Sequence, residues 1–138
     1  MRPAGTLLNL LLICAVAVIS GCAVNGNITD FNRVTTFVKS LHFEKPGTLT
    51  VLDGGAVREL KLKTIKSVRI QPDDTKIYNK QLFSRAVIAV ENGTTIGSFD
   101  NSKNKAYVAV DAYLLGKANK SEYRIILSNV SKIEIVGR

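Results

Sequence analysis

From about residue 36 to its end the chain is a succession of short alternating runs separated by turn residues. Leu41 and Phe43 alternate with His42 and Glu44 ahead of Pro46-Gly47, and Thr48 to Leu52 then runs to Asp53-Gly54-Gly55. A period of two broken by such residues predicts strands joined by tight turns. Ala56 to Lys63 places Val57 out of phase with Leu60 and Leu62, which predicts a bulge near Glu59. Ser67 to Ile70 reads as the next strand, closed by Gln71-Pro72-Asp73-Asp74, and Thr75 to Phe83 as a loop or a single helical turn. Arg85 to Glu91 meets Thr94 to Phe99 across Asn92-Gly93, a pair that accepts positive φ and signals a hairpin. Ala106 to Leu115 is the longest strand candidate, with Val108, Val110, Ala112 and Leu114 on one side and Tyr107, Ala109, Asp111 and Tyr113 on the other. Gly116 to Lys120 turns it back, and Glu122 to Leu127 and Lys132 to Val136 finish the chain.

Before these runs the pattern is open to two readings. Asp30 could cap a helix carrying Phe31, Val34, Phe37, Val38 and Leu41 on one side, or the β-formers Val34 to Val38 could make a strand from about Thr36, which is the reading taken here. Ala23 to Thr29, with Asn25, Gly26 and Asn27, reads as a short tether.

The first residues are of a different kind. Leu7 to Ile19 is an apolar run behind Arg2, interrupted by Asn9 and ending in Ser20-Gly21-Cys22. It is shorter than the roughly 20 residues of a membrane-spanning helix and has the three regions of an export signal. Ile19-Ser20-Gly21-Cys22 resembles the lipobox of bacterial lipoproteins: an aliphatic residue, a small residue, Gly or Ala, then Cys. The resemblance implies that Ile19, Ser20 and Gly21 are recognised, that Cys22 receives a diacylglycerol, and that residues 1–21 are removed. It also implies a bacterial cell envelope location held by lipid, with Ala23 rather than Asp after the anchor pointing to the outer membrane where there is one. Cys14 leaves with the signal and Cys22 is alkylated, so no disulfide is expected.

A weak repeat runs through the remainder. Leu62-Lys63-Thr64-Ile65-Lys66-Ser67-Val68-Arg69-Ile70 matches Leu127-Ser128-Asn129-Val130-Ser131-Lys132-Ile133-Glu134-Ile135, with aliphatic residues at the same positions. On this match the repeats would span 41–70 and 86–136, the second with an insertion and with Asn92-Gly93 in the place of Gly54-Gly55. The pattern is similar to small SH3-like or Sm-like barrels, in which a one-turn helix pinned by an aliphatic residue, here Ile65 or Val130, precedes the last strand. The expected fold is all-β: a small antiparallel β-sandwich or an SH3-like, partly open barrel, possible as a degenerate duplication. It would follow the signal peptide (1–21) and a lipidated Cys with its tether (22–30), and occupy residues 31–138 as one domain.

Composition narrows function mainly by exclusion. Hydrophobic residues at 46% and charged ones at 22% are those of a folded domain. The formal charge of +8 suits anionic lipid or glycan outside the cell, whereas nucleic acid is not expected there. His42 is the single histidine, and with no free thiol left, Cys-His catalysis and Cys/His zinc sites are out of reach. Asp100, Ser102, Asn104 and Asp111 have the spacing of calcium-loop ligands, but Lys105 stands where that loop needs Gly, so no metal or other cofactor is expected. Arg58, Lys61, Lys63, Lys66 and Arg69 read as two basic strands, with Lys61, Lys63 and Arg69 as candidate contacts for an anionic surface. Tyr107, Asp111 and Tyr113 form the first-choice binding strip, an aromatic face beside a carboxylate. The expected function is a lipid-anchored, non-catalytic binding or assembly module. The alternatives are a subunit of a larger envelope complex joined by strand-edge pairing and, with least support, a small hydrolase.

Overall fold

The computed structural model describes residues 23–44 and 47–137. Signal residues Ile19, Ser20 and Gly21, the lipidation residue Cys22, and Pro46 of the first expected turn lie outside the described residues. The strands are β1 (Val24–Asp30), β2 (Thr35–Phe43), β3 (Thr48–Asp53), β4 (Ala56–Lys61), β5 (Ile65–Tyr78) and β6 (Gln81–Val90), then β7 (Thr95–Ile96), β8 (Ala106–Ala109), β9 (Tyr113–Ala118), β10 (Ser121–Ile126) and β11 (Val130–Gly137). Short 3-10 turns, Leu62–Thr64 and Leu127–Asn129, precede β5 and β11. All pairings are antiparallel, in one sheet ordered β10-β9-β2-β1-β11-β5-β6-β8-β3-β4, with β7 beside β6. The sheet is not closed: β10 and β4 are its edges. The fold is therefore all-β, as the alternating pattern predicts.

One main core unites strands far apart in this order. Leu49 of β3 and Leu114 of β9 belong to the same buried cluster as Val68 and Ile133 at the sheet's centre, so the sheet must curl around them. Burying a Leu, Ile or Val side chain contributes roughly 1.5–3 kcal/mol, and with no disulfide among the described residues this packing is the main source of stability.

The strand order reads alike from both ends. In each half a six-residue strand, a tight turn, a second six-residue strand and a 3-10 turn lead into a central strand: β3, β4, Leu62–Thr64 and β5 in one, β9, β10, Leu127–Asn129 and β11 in the other. Leu62, Ile65, Val68 and Ile70 are buried, and so are Leu127, Val130, Ile133 and Ile135. The hydrogen bonds recur as well: Glu91 N–H donates to Thr64 O at 2.8 Å, and Phe31 N–H to Asn129 O at 3.3 Å. The hairpin entering the second 3-10 turn is β9–β10, turning at Asn119-Lys120, whereas Asn92-Gly93 joins β6 to β7.

Four sequence expectations need correction. Residues 24–30 are not a tether but the interior strand β1, paired with β2 and β11, because Val24 and Ile28 alternate into the core. β3 and β4 pair without a register shift, so Glu59 is no bulge and Val57 faces outward. The bulge lies instead at residues 72–74, where β5 shifts register against β6. Pro72 has no N–H to give a ladder, and a bulge tolerates that loss. Beyond it, residues 75–84 form a hairpin arm turning at Asn79-Lys80, both at positive φ, with Phe83 and Ser84 at its base also paired to β8. Finally, the long strand 106–115 is broken at residues 110–112 into β8 and β9, which sit in opposite halves of the sheet. Val110 N–H donates to Leu82 O, while Val110 O and Ala112 O accept from Ser128 and Leu127. The chain thus leaves its strand to cover the second 3-10 turn.

Candidate functional site

The break at residues 110–112 disperses the predicted tyrosine strip. Tyr107, 6% exposed, packs with Leu52, Phe83 and Ala109 in a second small core on the outer face of β8. The arm closes over it: Tyr78 meets Phe83 edge-on at 6.3 Å, and the Lys76 ammonium lies 5.0 Å from the centre of the Tyr107 ring. The Tyr107 hydroxyl donates to Asp74 Oδ1 at 3.2 Å. Burial first, and then the Asp74 charge, push that hydroxyl above its ordinary pKa. Asp111 stays exposed and accepts from Gln81 Nε2 at 3.3 Å. Tyr113 belongs to β9, where the Arg124 guanidinium stacks at 3.8 Å. These three residues are not brought together.

The basic set is also divided, since β4 is an edge strand and β5 a central one. Arg58 pairs with Asp53 at 3.2 Å, and Arg69 stacks over Phe99 at 5.4 Å. Lys61 and Lys63 do converge, at the rim of a small hollow lined by His42, Phe43, Gly47, Thr48 and Leu62. His42 Nδ1 lies 2.8 Å from Ser40 O, which orients its ring toward backbone rather than toward a carboxylate. No group of three or more His, Cys, Asp or Glu side chains that could hold a metal ion occurs among the described residues.

Two features escape a one-dimensional reading. The first is a cleft of about 700 Å³ between the start of β2 and the β9–β10 tip, lined by Thr35, Thr36, Phe37, Lys39, Ser40, Lys117, Asn119 and Lys120. It lies beyond the Lys39–Lys117 pair, where the β2–β9 ladder stops, and beside a register shift between Lys39 and His42. Asn119 and Lys120, both at positive φ, make the tight turn that carries the lysines to its rim. The second is the arm, on which Ile77 and Leu82 face one another across the strands while 76% and 41% exposed. An Asn-Lys pair between two β-forming runs marks both turns in the sequence, at residues 79–80 and 119–120. The turn at 116–120 is read from the sequence; the matching dipeptide at 79–80 is the signal that could have marked the arm's turn as well.

One buried cation organises the neighbouring loop. Arg85 of β6 donates from Nη2 to Ser98 O at 2.6 Å and Asn101 O at 3.3 Å, and pairs from Nη1 with Asp74 at 3.3 Å. Its Nε is buried and has no partner among the described residues. Guanidinium, carboxylate and phenol thus hold residues 98–101 and the bulge together.

No helix among the described residues is long and apolar enough to cross a membrane. The search of protein-family models and of curated proteins finds no match to the chain.

Proposed function

We propose that this chain is a lipid-anchored, non-catalytic module of the bacterial cell envelope that holds a partner protein at the membrane, on the outer membrane where one exists. The lipobox-like Ile19-Ser20-Gly21-Cys22 is the basis for the anchor. The observation that carries the reading is the position of β1, an interior strand that begins only two residues after Cys22. A lipid on that sulfur leaves almost no slack, so the sheet would be held against the bilayer by its own first strand. Asn25 pairs with Gly137 at one end of β11, whereas β5 runs past the other end of β11 into the arm. The apolar Ile77 and Leu82 would therefore be presented at the end away from the anchor, where a partner can reach them.

Mass spectrometry of the protein isolated from membranes tests the anchor: a mature chain beginning at an acylated Cys22 is expected, and an unmodified sulfur or a later start refutes it. Crosslinking in intact cells tests the module. A stoichiometric protein partner lost in an Ile77→Asp, Leu82→Asp variant is expected, and an unchanged crosslink removes the arm from the proposal. The second reading is a subunit joined by strand-edge pairing. It is favoured by the open sheet and by Thr75–Tyr78, which pairs with β6 on one side and with no strand on the other among the described residues.

A further inference from the structure

We propose that the cleft between β2 and the β9–β10 tip seats the phosphate of an anionic phospholipid headgroup beside the anchor; this rests on acylation of Cys22. The cleft concentrates positive charge that the described residues neutralise only weakly. Lys39 and Lys117 are direct cross-strand partners, an arrangement that is unfavourable for like charges. Lys120 stands at the same rim, and no carboxylate lines the cleft. Glu122 reaches Lys117 at 3.7 Å, but both side chains are largely in water and such a pair contributes little. An anion between the ammoniums would turn the repulsion into binding. Thr35, Thr36, Ser40 and Asn119 add hydroxyl and amide groups suited to phosphate oxygens. Phe37, 47% exposed, sets apolar surface beside the lysines, the combination by which interfacial segments lie in a headgroup layer.

The source of the phosphate follows from reach. The Ser40 N–H donates to Asn25 Oδ1 at 3.2 Å, so one end of the cleft wall is tied to a residue three positions from Cys22, while Thr35 and Thr36 at its other end pair with Thr29 and Ile28. Three extended residues span at most about 10 Å, and the headgroup region of one leaflet is roughly 5–7 Å deep. An acylated Cys22 would hold the Ser40 end of this wall, with Lys39 beside it, within a short distance of lipid phosphates.

The other half of the fold supplies an internal control. Its corresponding cleft is lined by Leu52, Gly54, Gly55, Lys76, Ser102, Lys103, Lys105 and Tyr107. It is also basic, but Leu52 and Gly55 stand where Lys117 and Lys120 stand, and Lys76 is engaged with the Tyr107 ring. β11, β5 and β6 separate its strand β8 from β1.

The test is lysine acetylation, read by mass spectrometry, on mature protein reconstituted into phosphatidylcholine vesicles with and without phosphatidylglycerol. Lys39, Lys117 and Lys120 are expected to lose reactivity several-fold in the anionic vesicles, with Lys103 and Lys105 unchanged. A Lys39→Gln, Lys117→Gln, Lys120→Gln variant, matched to wild type in its urea midpoint, is expected to lose the preference for anionic over neutral vesicles. Equal reactivity in both vesicles overturns the proposal. So does the same protection from inorganic phosphate added to neutral vesicles, which would mark a site for a free anion. The intact mass separates the two readings: acylated protein without protection sinks the cleft and leaves the anchor, and protected protein without acyl chains sinks the anchor.

Discussion

Val68 and Ile133 face one another across β5 and β11, both wholly buried, and each is the fourth residue of its strand after a 3-10 turn. A residue is here packed against its own counterpart, at the point about which the two halves of the sheet are arranged.

That relationship makes an exchange informative. Ile133→Val alone is expected to cost about 0.5–1.5 kcal/mol through lost packing, and Val68→Ile alone about 1–3 kcal/mol through crowding. The double variant returns the volume to the same place and should lie within about 1 kcal/mol of wild type, a coupling of the size contacting residues show. Urea unfolding of the four proteins measures it; simple additivity would mean that the two side chains do not share one cavity.

Gly116 is fixed by close approach of chain. A Cβ there would press on Val38 Cγ1 and meet Lys39 O at 2.8 Å, beside the register shift that borders the basic cleft. Gly116→Ala is expected to destabilise by about 2–4 kcal/mol, since backbone cannot give way as a flexible side-chain end can. An unchanged thermal midpoint would mean that β2 is not held this closely to β9.

Tyr107 ties stability to alkaline pH. Its folded pKa lies above the unfolded value, by burial and then by the Asp74 carboxylate, so the fold favours the neutral phenol. The sign follows: its stabilising contribution is complete below the unfolded value of about 10 and is lost as pH rises through the raised folded one. Tyr123 shifts the same way, by burial and then by Asp30. The thermal midpoint should hold to about pH 9 and fall above about pH 10. Tyr107→Phe should lose about 1 kcal/mol at neutral pH with its hydrogen bond and show a shallower alkaline fall.

Arg85 should matter to one loop more than to the whole. Arg85→Ala removes the donors that hold Ser98 O and Asn101 O and is expected to cost about 2–3 kcal/mol. Limited proteolysis should then cut within residues 98–105 well before the sheet unfolds; first cleavage elsewhere would contradict this.

The sequence carried the fold class because period-two alternation is a local signal. Leu41 and Phe43 point inward as their spacing predicts, and Leu62, Ile65, Val68 and Ile70 are buried as are Leu127, Val130, Ile133 and Ile135. What failed was each inference needing a partner strand. Val24 to Asp30 is rich in Asn and Gly and resembles linker until β2 and β11 flank it. Residues 106–115 alternate without a break, yet Val110 and Ala112 give their carbonyls to the second 3-10 turn, so the tyrosine strip divided with its strand. Lys39 and Lys117 are far apart in the chain and meet only through β2 and β9. No window on the sequence could have joined them.

The pairing of Asn25 with Gly137 has a consequence for how such a chain matures. β1, the first of the described strands in chain order, is completed on one side by β11, the last of them. The sheet's centre cannot close until a span of more than a hundred residues, from β1 through β11, is available to pair.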